Sequence, residues 1–445
     1  MEWIANFFNA DTHSGIARRT ALTAYGIRVF SAGIAYIAQI FLARWLGSHH
    51  YGVYVMVWTW VLILGHISTL GLSVIPELFI PTYTQRGENG LLRGYTFYAR
   101  LMTFLSAAIV GVLGIAGVYM LGDALDSYYV WPFYLAFVCL PFFTITETLD
   151  GISRCYNAAV TAMGPPYVLR PLLIIVFMAA GHYLELIPAT APGAMIAALA
   201  ACIVTAALQL AMVSRLLAKH IPKIPYRFEQ KIWLLAALPL FFAEAARVLL
   251  QNVDILVLSR YVLPENLAVY FAASKTLALA LFVNFAVAAA VSHRFTEYHV
   301  TGDGPRLKHF IAQASLWSFA ATMLAIVLVI LLGQGFLFLF GPGFTAGFPL
   351  LFIFSIGVII RSMIGPADRL LALLGHQKLL AGIVALALLF ATLLLFLLVP
   401  FYGLMGAAAA MSGAMVLETA LLIFFIRRKL NLTVGFWHYN KHRLA

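Results

Sequence analysis

The sequence predicts an all-α integral membrane protein: about twelve transmembrane helices in two pseudo-symmetric six-helix bundles around a central cavity, with both termini cytoplasmic. Three observations lead there. Hydrophobic residues fill 63% of the 445 positions and charged residues only 10%, where a soluble domain carries about 25% charged. Apolar runs of roughly 20 residues, the length that crosses a hydrocarbon core of about 30 Å, recur along the whole chain. Lys and Arg fall almost wholly in the connections between those runs, and on one side of the implied membrane.

The runs lie at roughly 21–43, 52–75, 95–121, 130–152, 167–187, 191–214, 232–258, 266–291, 311–333, 346–364, 379–399 and 402–426. They are continuously apolar and lack the period-two alternation of a barrel strand, so helices are expected. With the N-terminus inside, 23 of the 28 Lys and Arg lie in cytoplasmic segments or at the cytoplasmic ends of spans, whose bounds are good to about four residues. Only Arg44 and Arg260 lie outside, and Arg28, Arg247 and Lys275 remain within spans. That asymmetry sets the orientation. It also absorbs the net charge of +11, which in a soluble protein would suggest nucleic acid; no nucleic-acid partner is expected here. Residues 1–19 lack the short apolar core of a cleavable signal.

The chain divides into an N-terminal half (1–218), a cytoplasmic linker (219–231), a C-terminal half (232–430) and a basic tail (431–445). Lys219, Lys223, Arg227 and Lys231 recur every four residues in the linker, but Pro222 and Pro225 forbid one regular helix there. Their basic groups suit anionic lipid head groups. The halves show an internal repeat. Ala43–Tyr54, ARWLGSHHYGVY, aligns with Ser259–Tyr270, SRYVLPENLAVY, at a shift of 216, each following the first span of its half. Six spans per half give the two copies one orientation, as in transporters with parallel repeats. Arg44 and Arg260 equally suit interfacial anchors.

Ionisable residues inside a span are costly and mark cavities or partners. In the seventh span Glu244, Arg247, Gln251 and Asp254 are spaced 3, 4 and 3. On one helix they would form a stripe about 80° wide and about 15 Å long. The repeat shift brings Arg28 opposite Glu244, and Gln39 shares the face of Arg28. The first and seventh helices are therefore expected to line a polar interior, with Arg28, Gln39, Arg247, Gln251 and Lys275 as substrate contacts. Lys275 equally suits snorkelling to the head groups. Glu244, Asp254 and Glu418, the last alone in the twelfth span, are expected to couple an ion or to hold structural charge. Glu147 and Asp150, with Arg154 four residues on from the latter, read as a helix-end ion pair.

Nothing in the sequence asks for a cofactor or a metal. Cys139, Cys155 and Cys202 have no paired spacing, and no nucleophile elbow or P-loop is present. His438 and His442 share a helical spacing but sit in the basic tail.

FLARWLGSHHYGVYVMVWTW (41–60), with Ala43, Arg44, Trp45, Leu46 and Gly47 followed by Tyr51, Gly52, Val53 and Tyr54, resembles the Wzx-type polysaccharide (O-antigen) flippases. GPGFTAGFPLLFIFSIGVIIRSMIGPADRLLALLGHQK (341–378) resembles the tenth-helix region of the same family. That family shares a superfamily with the multidrug/toxin extruders and the lipid II flippases. The chain is two C-terminal helices short of the lipid II branch. The resemblance implies passage of an undecaprenyl-pyrophosphate-linked oligosaccharide from the cytoplasmic to the periplasmic leaflet of the bacterial inner membrane. It implies alternating access, coupling to H+ or Na+, and polysaccharide synthesis machinery as a partner. Arg28, Arg247 and Lys275 would then attract pyrophosphate, and Tyr25, Tyr36, Gln39, Gln251 and Asn252 would meet sugar hydroxyls. A multidrug cation antiporter of the same superfamily is the alternative, but its site should be acidic, whereas Arg28 and Arg247 give the opposite sign. A membrane polysaccharide polymerase or ligase would need large external loops, and the expected ones are short.

Overall fold

The structure, a computed structural model, describes residues 13–300 and 303–438, with side chains from 26 onward except at scattered positions in 282–300. Arg18, Arg19, Tyr25, Arg294, Lys441, His442 and Arg443 fall outside the described side chains. All regular structure among the described residues is helical. In chain order the helices are α1 His13–Ser68, α2 Pro76–Gln85, α3 Asn89–Leu121, α4 Ser127–Cys155, α5 Ala159–Met163, α6 Arg170–Tyr183 and α7 Ala191–His220. They continue as α8 Gln230–Leu250, α9 Val253–Tyr261, α10 Pro264–Val300, α11 Gly304–Phe340, α12 Phe348–Ser362, α13 Ala367–Leu373 and α14 Gln377–Leu430.

Nine helical stretches among the described residues are long and apolar enough to cross a membrane. Two of them are double. α1 kinks at Gly47 (φ 70°, ψ 169°) and α14 at Gly403 (φ 54°, ψ −127°), three residues after Pro400. Positive φ at glycine, helped in α14 by a proline without an N–H, interrupts the hydrogen-bond ladder. α10 adds a helix of 37 residues at the eighth predicted span. The total agrees with about twelve crossings. α3 exposes Ile109, Val112 and Leu113, and α14 exposes Leu389, Leu393 and Phe396. Apolar stripes of this kind are suited to lipid and unsuited to water.

The chain forms two compact units. The first comprises Met1–Trp45 and Trp60–Ala245. In it α3 packs on α4, and α4 on α7. α7 begins at a capped turn, where Thr190 Oγ1 accepts from the Gly193 N–H at 3.5 Å. Leu72, Ile75, Tyr95, Leu149, Ile152 and Trp233 meet in its core. The fully buried Trp233 donates its indole N–H to the Tyr83 hydroxyl at 2.9 Å, and Tyr83 donates to Glu229 Oε2 at 3.2 Å. α7 ends at His220, and residues 221–229 run without regular structure, as Pro222 and Pro225 require.

The second unit comprises Leu46–Thr59 and Ala246–Ala445. α10 packs on α11 and α12 on α14, around Phe295, Phe310, Ile311, Leu371 and Ile426. The expected continuous seventh helix is broken here. α8 stops at Leu250 and α9 starts at Val253, with Asn252 at φ −139°, ψ −2°. The Asn252 amide donates to the Val248 carbonyl at 2.8 Å, giving a partner to an acceptor at the end of α8.

The repeated segments meet inside this unit. His49 Nδ1 lies 2.8 Å from Glu265 Oε1, and the two residues are 216 apart, the shift of the repeat. Tyr51 is fully buried beside the rings of Phe271, Phe340 and Phe344, at 6.3, 6.5 and 6.1 Å. Glu265, in the turn before the eighth span, is held below the ordinary carboxylate range chiefly by a backbone N–H in the first turn of its helix; burial opposes this, and His49 adds to the lowering. A depressed folded pKa gives stability that is present above the unfolded value and lost as pH falls through the folded value. Melting temperature measured against pH should therefore fall at the acid end, below about pH 4.5. Glu265→Gln should flatten that acid limb; an unchanged limb would show that other carboxylates set it.

Candidate functional site

The densest group of buried charge lies in the first unit, on α4. Glu147, Asp150 and Arg154 are spaced 3 and 4, so they share one face of that helix. Asp150 is 0% exposed. Arg154 grips it with both arms of its guanidinium: Nε donates to Oδ1 at 3.2 Å and Nη2 to Oδ2. This two-armed geometry is the strong form of a carboxylate–arginine pair.

The next elements complete the group. Between α5 and α6 the chain makes a π turn at Gly164–Leu169, GPPYVL. Pro165 and Pro166 have no N–H to give to a regular α-helical ladder, and the wider turn results. It brings Tyr167 and Arg170 onto α4. The Tyr167 hydroxyl donates to Asp150 Oδ2 at 3.5 Å. Arg28, from α1, stacks on the Tyr167 ring with its guanidinium carbon 4.7 Å from the ring centre. Arg170 Nη2 lies 3.9 Å from Glu147 Oε1, and Nη1 donates to Thr146 Oγ1 at 3.5 Å. Its guanidinium also lies 4.5 Å from the centre of the Phe143 ring.

His66, from the end of α1, approaches the other side of Glu147, with Nε2 at 3.6 Å from Oε2. Its Nδ1 is 2.8 Å from the Leu62 carbonyl. A carbonyl only accepts, so Nδ1 carries a proton and Nε2 is the nitrogen turned to the carboxylate. A proton between Nε2 and Oε2 would make that approach attractive. Three guanidiniums (Arg28, Arg154, Arg170) thus face two carboxylates (Glu147, Asp150), with an imidazole beside them. Glu77 also lies within electrostatic reach of Arg154, so the cluster is a network of paired guanidiniums and carboxylates, and arginine forks of this kind are the geometry that binds carboxylate or phosphate oxygens.

Arg28 is half-buried and belongs to this group, and Gln39 is half-buried farther along α1. The stripe expected on the seventh span is divided by the break in that helix: Glu244 and Arg247 lie on α8, Gln251 in the break and Asp254 at the start of α9. Glu244 is half-buried, while Arg247 and Gln251 are exposed. Asp254 is buried; its Oδ2 accepts from the Tyr270 hydroxyl at 2.8 Å and its Oδ1 from the Ile255 N–H at 2.9 Å. Lys275, within electrostatic reach of Asp254, places Nζ 4.7 Å from the centre of the Phe271 ring. Glu418 is not alone. Arg361 Nε is 4.0 Å from Glu418 Oε1, and Arg361 Nη2 donates to Asp368 Oδ1 at 2.9 Å.

The sequence reading missed His66, Tyr167 and Arg170. It took Arg170 for a loop cation, whereas the side chain is buried against Glu147. The available signal was the proline pair just before it: an arginine entering an apolar run through Pro165–Pro166 sits where a helix is forced open. The described residues hold no group of His, Cys, Asp or Glu arranged for a metal, and the three cysteines are free.

No family model matches the sequence, and no curated protein matches it. Solved structures do match. A multidrug-resistance MATE family transporter of the MOP superfamily, in an inward-facing conformation, superposes with a TM-score of 0.73 at 13% identity, over 90% of this chain and 94% of that one. The lipid II flippase MurJ, inward closed, gives 0.68 at 16% identity, over 95% and 96%. A MOP superfamily transporter from Pyrococcus furiosus, described as having a binding pocket of reverse polarity, gives 0.69 at 13% identity, over 94% and 96%. The chain shares the fold of these structures. It is a multi-pass membrane protein of all-helical architecture.

Proposed function

We propose that this protein is a flippase that carries a polyprenyl-diphosphate-linked oligosaccharide from the cytoplasmic to the periplasmic leaflet of a bacterial inner membrane, by alternating access, for surface polysaccharide synthesis. The observation that carries the reading is the arginine content of the buried group on α4: two guanidiniums, Arg28 and Arg154, act on the single carboxylate of Asp150, and Arg28 is held against the Tyr167 ring and not by a carboxylate of its own helix. A diphosphate offers oxygens to such a group, and arginine holds it in two-armed geometry. In this proposal Arg247 and Lys275 add attraction for the anion, and Gln39 and Gln251 meet sugar hydroxyls. H+ or Na+ coupling falls to the carboxylates, with Glu147 beside His66 as the first candidate and Glu244, Asp254 and Glu418 as the others.

The test is a flipping assay in vesicles with a fluorescent polyprenyl-diphosphate oligosaccharide. Arg28→Ala is expected to slow transport by tenfold or more, on the order of one charge-assisted hydrogen bond, and Arg28→Lys to recover part of it. The multidrug reading, which the MATE neighbour favours, predicts the reverse. There Arg28→Ala removes a repelling charge, and efflux of a cationic dye rises.

A further inference from the structure

The segment that joins α7 to α8 is built more firmly than a connection needs to be. The Arg227 N–H donates to the Gly90 carbonyl at 3.0 Å, and Arg93 donates to the Ile224 carbonyl. Gly94 permits this contact: a Cβ there would lie 1.9 Å from the Arg227 carbonyl oxygen. Arg93 also stacks on Tyr226, 4.3 Å from its ring centre. The strap is thus fixed along the N-terminal turns of α3.

What it presents outward has a definite chemistry. Tyr226, Phe228 and Phe97 are each about half exposed and their rings form a row, Phe97 to Tyr226 at 5.4 Å and Tyr226 to Phe228 at 6.0 Å. Lys219, Lys223, Arg227 and Lys231 are exposed along the same segment. Its single acid, Glu229, is turned away to Tyr83. The strap joins two spans, so it lies at the membrane surface, and the charge asymmetry of the chain places that surface in the cytoplasm. Aromatic rings settle at head-group level, and clustered lysines attract the anionic lipids of the inner leaflet.

We propose that the strap from Lys219 to Lys231 is a preformed binding surface for anionic phospholipid head groups, with the Phe97–Tyr226–Phe228 row seated among the upper acyl chains. The surface is independent of what the transporter carries. Because the strap is fixed to the first unit, bound lipid would hold that unit at a set depth in the bilayer.

Phosphatidylglycerol binding to the full-length protein can be measured by titration in nanodiscs and by native mass spectrometry. Each lysine near a charged surface contributes about fivefold in affinity. The triple variant Lys219→Gln, Lys223→Gln, Lys231→Gln is therefore expected to bind phosphatidylglycerol about a hundredfold more weakly. Its melting temperature in pure phosphatidylcholine should not change. The charge-keeping triple Lys219→Arg, Lys223→Arg, Lys231→Arg should leave the affinity within about twofold. Equal losses in both triple variants, or wild-type affinity in the glutamine variant, would overturn the proposal. So would displacement of phosphatidylglycerol from the strap by an equimolar polyprenyl diphosphate, since the occupant would then be the transport substrate.

Discussion

Truncating Arg170 to alanine is expected to destabilise the first unit by about 3–5 kcal/mol. The side chains of Arg170 and Glu147 are each only 9% exposed, so removing the guanidinium leaves a carboxylate in a site that water cannot reach well. Thr146 also loses the donor on its hydroxyl, and the Phe143 face loses a stacked cation. Removing the stranded charge as well should recover much of the loss. Arg170→Ala with Glu147→Gln is expected to be more stable than Arg170→Ala alone, because the price of an unpaired buried charge exceeds that of a neutral amide. A double-mutant cycle on thermal or SDS unfolding in detergent gives the coupling directly. Residues in one network couple by about 0.5–3 kcal/mol. A coupling below that range would mean that Glu147 takes its compensation from His66 and not from Arg170.

How this pair escaped the sequence reading shows where such a reading stops. Twelve apolar runs are a one-dimensional property, written in chain length and bilayer thickness, so the spans were legible from composition and spacing. The strap was half legible: Pro222 and Pro225 excluded a helix, but nothing in the sequence says that the Arg227 carbonyl rests against Gly94. The charged group on α4 was legible only where its partners are close in the chain. Asp150 and Arg154 are four residues apart, and a helix brings such pairs together whatever else is true. Glu147 and Arg170 are on different helices, and their meeting depends on a π turn. Arg361 and Glu418, on α12 and α14, escaped for the same reason. The seventh-helix stripe erred in the opposite direction. The spacing of Glu244, Arg247, Gln251 and Asp254 assumed 3.6 residues per turn throughout, and the break at Gln251–Asn252 interrupts that phase.

Placing any side chain at Gly151 should damage the fold at the point where α4 carries its charged face. A Cβ at this position would lie 2.0 Å from the Ser73 carbonyl oxygen and 3.0 Å from its carbon, which are backbone atoms with no rotamer to change. The turn that holds Ser73 cannot retreat freely. At Gly71 (φ +77°) it already sits so close to α8 that a Cβ there would be 2.7 Å from the Ala237 carbonyl oxygen. The turn is thus wedged between α4 and α8, and both faces of the wedge are backbone. Gly151→Ala is expected to cost about 1–3 kcal/mol by overpacking, and Gly151→Val more, with little folded protein recovered from the membrane. The displacement has a chemical consequence as well. The turn begins just after His66, and Gly151 lies one helical turn beyond Glu147, so pushing the two apart separates the imidazole from the carboxylate at 3.6 Å. Gly151→Ala and His66→Gln should therefore both slow transport in the vesicle assay, because each removes the His66–Glu147 contact. Loss of stability in Gly151→Ala with wild-type transport by the folded fraction would show that this contact takes no part in transport.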